Sequence, residues 1–142
     1  MILIDVNILV YAKRQDAPDH LQFHAWLEKT LRSDTMVGLS EVVLSGVIRV
    51  LTHPRIQREP THLDEALEYA NYLRSETGCI IVSPGSQHWK IFTGLCKSSG
   101  AKGNLVSDAF HAALAIESGA EWITADRDYA KFPGLRWRHP LA

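Results

Sequence analysis

Met1-Ile2-Leu3-Ile4-Asp5-Val6-Asn7-Ile8-Leu9 is the stretch on which the fold turns. Ile2, Leu3, Ile4 and Val6 read as a short strand over residues 1–6, and a run this apolar needs cover on both faces. The spacing of Ile8, Leu9, Tyr11 and Ala12 then changes to that of a helix. Asp5 falls at the switch. A carboxylate in so apolar a setting is costly unless a partner or a function holds it there.

Working outward, the same change of period recurs. Pro18, between Asp16 and Asp19, marks a break, after which Leu21, Trp26, Leu27 and Leu31 predict an amphipathic helix ending near Ser33. Thr35 to Leu39 reads as a strand. Ser40 suits the N-cap of a helix defined by Val43, Leu44, Val47, Ile48 and Leu51, which ends before Pro54. A further helix opens at Thr61 and stops before Gly78, followed by a strand at Cys79–Val82 and a helix over 86–97. The small residues of Leu105, Ala109, Ala112, Ala113 and Ile116 predict a closely packing helix stopped by Gly119. Glu121–Thr124 is the next strand, Asp126–Lys131 a turn or short helix, and Leu135–Arg138 a last short strand. This alternation implies right-handed crossovers. The expectation is one three-layer α/β/α domain over residues 1–142 with a mainly parallel central sheet.

The 142 residues, 46% hydrophobic and 22% charged, suffice for a substantial core without disulfides or a structural metal. Cys79 and Cys96 both lie in apolar patterns, so two buried, reduced thiols are expected. No apolar segment approaches the roughly 20 residues that cross a bilayer, and the opening carries no basic leader, so a cytoplasmic location is expected. With 15 basic and 16 acidic residues the net charge is −1, and no global field draws the chain to nucleic acid. A polyanion must meet a local patch. The candidates are Lys13, Arg14, Arg49 and Lys102, with Arg55, Arg58 and Lys97 nearby in sequence.

Five acids stand where predicted strands end or helices begin: Asp5, Glu41, Asp108, Asp126 and Asp128. In an open α/β sheet such positions converge on one crevice, and carboxylates crowded there repel one another unless a cation intervenes. Asp5 and Asn7, two apart, share a face if the strand continues through them; either could instead cap the following helix. Asp108 is three and four residues from Leu105 and Ala112, which places it on the apolar stripe. Thr124-Ala125-Asp126-Arg127-Asp128 ends a strand with two carboxylates, one of which could serve as an N-cap. Glu41 follows Ser40, where an acid also favours the helix dipole. All-oxygen donors suit Mg²⁺ or Mn²⁺ better than zinc. His20 and His24 are four apart with no third ligand nearby, and His111 receives no metal role. No nucleophile elbow, P-loop or dinucleotide fingerprint occurs.

Taken together, Ile4-Asp5-Val6-Asn7, Arg49-Val50-Leu51-Thr52-His53-Pro54-Arg55, Ser107-Asp108-Ala109-Phe110-His111-Ala112-Ala113-Leu114-Ala115 and Thr124-Ala125-Asp126-Arg127-Asp128-Tyr129 resemble a PIN-domain ribonuclease, and most of all the VapC-type toxins. The ending Phe132-Pro133-Gly134-Leu135-Arg136-Trp137 is similar to one subgroup of them. The resemblance implies a Mg²⁺- or Mn²⁺-dependent endoribonuclease, a homodimer, inhibited by a cognate antitoxin. It implies that Asp5, Asp108 and Asp126 hold the metal, that Asp128 is an auxiliary acid, and that Asn7 and Thr124 support them. The family's second acid is a departure, because Gly46 stands in its place and Glu41 is the nearest substitute. Two rival readings accompany this one. A haloacid-dehalogenase-like phosphatase would use Asp5 as nucleophile, although Asn7 replaces its second Asp. A non-catalytic module would use the acidic crevice to bind a basic partner.

Overall fold

In the computed structural model, which describes residues 1–142, β1 (Ile2–Ile4) lies at the centre of the sheet. β2 (Val37–Leu39) and β4 (Glu121–Ile123) pair with it on either side; β3 (Ile80–Ile81) and β5 (Trp137–Arg138) form the edges. All pairings are parallel, in the order β3-β2-β1-β4-β5. Helices α1 (Val6–Lys13) and α2 (His20–Arg32) join β1 to β2, and α3 (Glu41–Thr52) and α4 (Leu63–Ser75) join β2 to β3. The chain then returns through α5 (His88–Ser99) and α6 (Asn104–Ser118) to β4 on the other side of β1. Right-handed crossovers that first step one way and then the other place α1–α4 on one face and α5–α6 on the opposite face. The reversal occurs between β1 and β4, and the carboxyl ends of those strands open the crevice. No helix is long and apolar enough to cross a membrane.

Several boundaries move for identifiable reasons. The first strand stops at Ile4 because the Asp5 carboxylate accepts the Val6 N–H at 2.6 Å and caps α1, so Asn7 lies in the first helical turn rather than on a strand. The helix expected from Thr61 starts at Leu63, since the Thr61 N–H donates to the Leu51 carbonyl at 2.8 Å and holds that residue against the end of α3. Only Ile80 and Ile81 of the predicted strand Cys79–Val82 enter the ladder, at an edge with one neighbour. Both cysteines are free, as expected, but half-buried.

The core is built where sheet and helices meet. Leu3, Ile4, Ile8, Leu9, Val43, Leu51, Trp122 and Ile123 are essentially inaccessible to water. Ala109, Ala112, Ala113 and Ala115 are fully buried along α6, whose small side chains let its backbone lie close to its neighbours. Between β1 and β3 the approach is tighter still. A Cβ on Gly38 would stand 2.5 Å from Leu3 Cδ2 and 2.9 Å from Val82 Cγ2. Gly38→Ala is therefore expected to overpack the sheet and cost ~1–3 kcal/mol, read as a lowered urea midpoint at unchanged slope.

Candidate active site

Pairing of Ile4 with Ile123 brings the next residues of β1 and β4 together, and the Asp5 N–H continues the ladder to the Ile123 carbonyl at 2.9 Å. Thr124 then donates its hydroxyl to Asp5 Oδ2 at 2.7 Å in a fully buried bond. Asn7, projecting from the first turn of α1, donates to the same oxygen at 3.2 Å and accepts the Ala125 N–H at 3.3 Å. The Thr124 hydroxyl oxygen accepts the Asp126 N–H at 3.0 Å, and Asp126 caps the 3-10 turn Arg127–Lys131 by accepting the Asp128 N–H at 2.9 Å. One network thus fixes Asp5, Asn7, Thr124 and Asp126. Asp108 enters from α6, where the buried Tyr129 hydroxyl donates to its Oδ1 at 3.2 Å.

These acids feel one another. Burial pushes the Asp5 carboxyl up to about 6, against the pull of its bonds to Thr124 and Val6, and the charges of Asp108 and Asp126 push it further. Asp108 also rises to about 6, first through burial and then through the charge of Asp126. Burial drives the Tyr129 phenol far above its ordinary range, so it remains a proton donor to Asp108 at all ordinary pH. Asp5, Asp108 and Asp126 have no ion-pair partner in the protein. Asp128 faces the same crevice and pairs with Lys131 at 3.5 Å.

Glu41 does not join them. It turns to α4 and pairs with Arg74 at 3.1 Å on an exposed surface. Gly46 packs instead against α1, and a Cβ there would lie 2.8 Å from Val6 Cγ2. The site therefore has no carboxylate from α3. Of the predicted basic residues, Arg49 and Lys102 line the crevice without an ion-pair partner, together with Arg58. Arg14 is in the wall but grips Asp16 at 2.6 Å and the Glu59 carbonyl at 2.6 Å, anchoring the loop after α3. Lys13 lies outside, bound to Glu65 at 3.2 Å. His20 and His24 direct Nδ1 to the Tyr11 and Ala12 carbonyls and so cover the last turn of α1 rather than facing solvent freely. Tyr129 has no predicted role from sequence; its place three residues beyond Asp126 is the local signal for it.

The crevice holds about 1340 Å³ and is lined by three unpaired acids, Asp5 and Asp126 beyond strand ends and Asp108 on α6, and by three unpaired bases. That exceeds the ~300–1,000 Å³ of an ordinary small-molecule pocket and suits a polymer. A model of the PIN domain matches residues 2–135. The VapC ribonuclease Mb2897 of Mycobacterium bovis is 41% identical over 99% of this chain and 96% of its own length. The chain belongs to the PIN-domain family and, within it, to the VapC ribonucleases. Ribonuclease VapC33 of Mycobacterium tuberculosis is 33% identical over 99% of both chains. The VapBC2 crystal structure from Rickettsia felis, bound to a promoter DNA fragment, has the same fold with a TM-score of 0.72, 19% identity and 98% coverage of both chains. The phosphatase and non-catalytic readings find no support among these relatives.

A raised carboxylate pKa means that the folded protein binds the proton more tightly than the unfolded chain does. Stability therefore falls as pH rises from about 4 through about 6, where Asp5 and Asp108 ionise. Asp108→Asn keeps an acceptor for Tyr129 and removes one charge. Without added divalent cations it should be more stable than the unaltered protein at pH 7.5, by about 1 kcal/mol after allowance for solvent screening. The advantage should close below pH 4; thermal melts across this range check it.

Proposed function

We propose that this chain is an endoribonuclease toxin that hydrolyses RNA with a divalent cation held by Asp5, Asp108 and Asp126. The observation that carries this reading is the convergence of three unpaired carboxylates from three distant segments in a crevice whose walls present Arg49, Arg58 and Lys102. The donors fit a hard cation. They are all oxygen, and the upward shifts of Asp5 and Asp108 mark negative charge that Lys131, acting on Asp108, offsets only in part. Such donors suit Mg²⁺ or Mn²⁺, which bind through one or two carboxylates and keep several waters. The chemistry supplied on binding it is polarisation of the phosphodiester and acidification of the attacking water.

The chain's own residues do the rest. Thr124 and Asn7 hold Asp5 as an ionised acceptor, and Tyr129 fixes Asp108. Asp128 lines the crevice wall, and its role in this reading is to orient the attacking water. Arg49, Arg58 and Lys102 neutralise the RNA backbone, while the short strand segment between them is presented to the acids. By analogy with the VapBC complex, the physiological partner is a cognate antitoxin.

Asp108→Asn and Asp126→Asn should each lower RNA cleavage at least 100-fold with circular dichroism unchanged, whereas Glu41→Gln should stay within about twofold of the unaltered protein. Excess EDTA should arrest cleavage and Mn²⁺ or Mg²⁺ restore it; cleavage that persists in chelator would overturn the metal assignment. The double variant Arg49→Gln, Lys102→Gln should reduce the slope of log Kd for single-stranded RNA against log salt by about 1.4, from ~0.7 per phosphate contact.

A further inference from the structure

His111 is unexplained by the carboxylate site yet belongs to its wall. It lies on α6 one turn beyond Asp108 and lines the crevice, although the residue is only 9% exposed. Its ring stacks on Trp122 with centroids 5.4 Å apart and planes 13° from parallel, which fixes its orientation. Nδ1 is buried and bonds to nothing, and Nε2 has no protein partner but retains contact with solvent. A bare lone pair is cheaper to bury than an orphaned N–H, so the proton belongs on Nε2. Burial, helped by His88, pushes the imidazole down to about 4 and keeps it neutral at working pH. The crevice wall therefore carries one pre-oriented, uncharged N–H donor without an acceptor. Nε2, unlike the orphaned Nδ1, reaches the crevice, so its N–H is open to an acceptor on whatever lies there.

We propose that His111 is a substrate-binding residue, donating its Nε2–H to a phosphodiester oxygen of the RNA strand lying in the crevice. Its position on the same face of α6 as Asp108 directs it to the backbone on which the acids act, rather than to a base edge. An uncharged donor adds orientation without competing with the cation for the carboxylates.

This inference rests on the ribonuclease reading, and the test separates the two. In an Asp126→Asn background, binding of short single-stranded RNAs of several sequences is measured by fluorescence anisotropy, with thermal melts alongside. Failure of that background protein to bind RNA at all would count against the ribonuclease reading itself. His111→Phe retains the stack on Trp122 and removes the buried, unpaired nitrogen. It should weaken RNA binding about three- to tenfold, equally across sequences, while Tm holds or rises. His111→Gln, which restores an N–H donor, should recover part of the affinity. Unchanged affinity in His111→Phe overturns the proposal. So does a loss confined to RNAs carrying one particular base, or a fall in Tm that parallels the loss of affinity.

Discussion

The buried 2.7 Å bond from the Thr124 hydroxyl to Asp5 joins residues 119 positions apart, and the rest of the site is arranged around it. It exists because β1 and β4 pair in a register that sets Asp5 opposite Thr124. A one-residue slip of either strand would turn its side chain to the other face of the sheet, away from its partner. From this bond the network reaches Asn7, which steadies the first turn of α1, and Asp126, which starts the 3-10 turn carrying Tyr129 back to Asp108. Strand pairing, helix capping and carboxylate placement are thus one problem with one solution.

The same arrangement carries an electrostatic cost. Asp5 and Asp108 sit where burial and neighbouring acids both oppose ionisation, and the protein supplies hydrogen-bond donors but no direct ion-pair partner, Lys131 offsetting Asp108 only in part. The free bases stand on the walls instead. Separating acids from bases in this way leaves room for a polyanion and its counterion. A direct Arg-to-Asp pair would have filled the site and silenced it.

Much of this was legible in the chain. The switch at Asp5, the cap at Ser40, the small-residue helix around Ala112 and the acid pair after Thr124 each left a local signal, because capping and periodicity are short-range effects. Glu41 shows the limit. Its position at a helix start marked it as acidic and near a strand end, but the rotation of α3 decides that it meets Arg74, while Gly46 takes the place against Val6. Arg14 is similar: a basic residue in the crevice wall whose guanidinium is occupied by Asp16 and a loop carbonyl.

By itself the sequence determined the order of strands and helices, the absence of a crossing segment among its helices and the identity of the acids, since these follow from composition, spacing and chain direction. Only the tertiary structure decided which acids share a crevice, which bases remain unpaired and that Tyr129 and His111 stand beside Asp108. Those outcomes depend on the register of β1 with β4 and on the rotation of each helix about its own axis. Both are fixed by packing between residues far apart in the chain, and local sequence does not carry them.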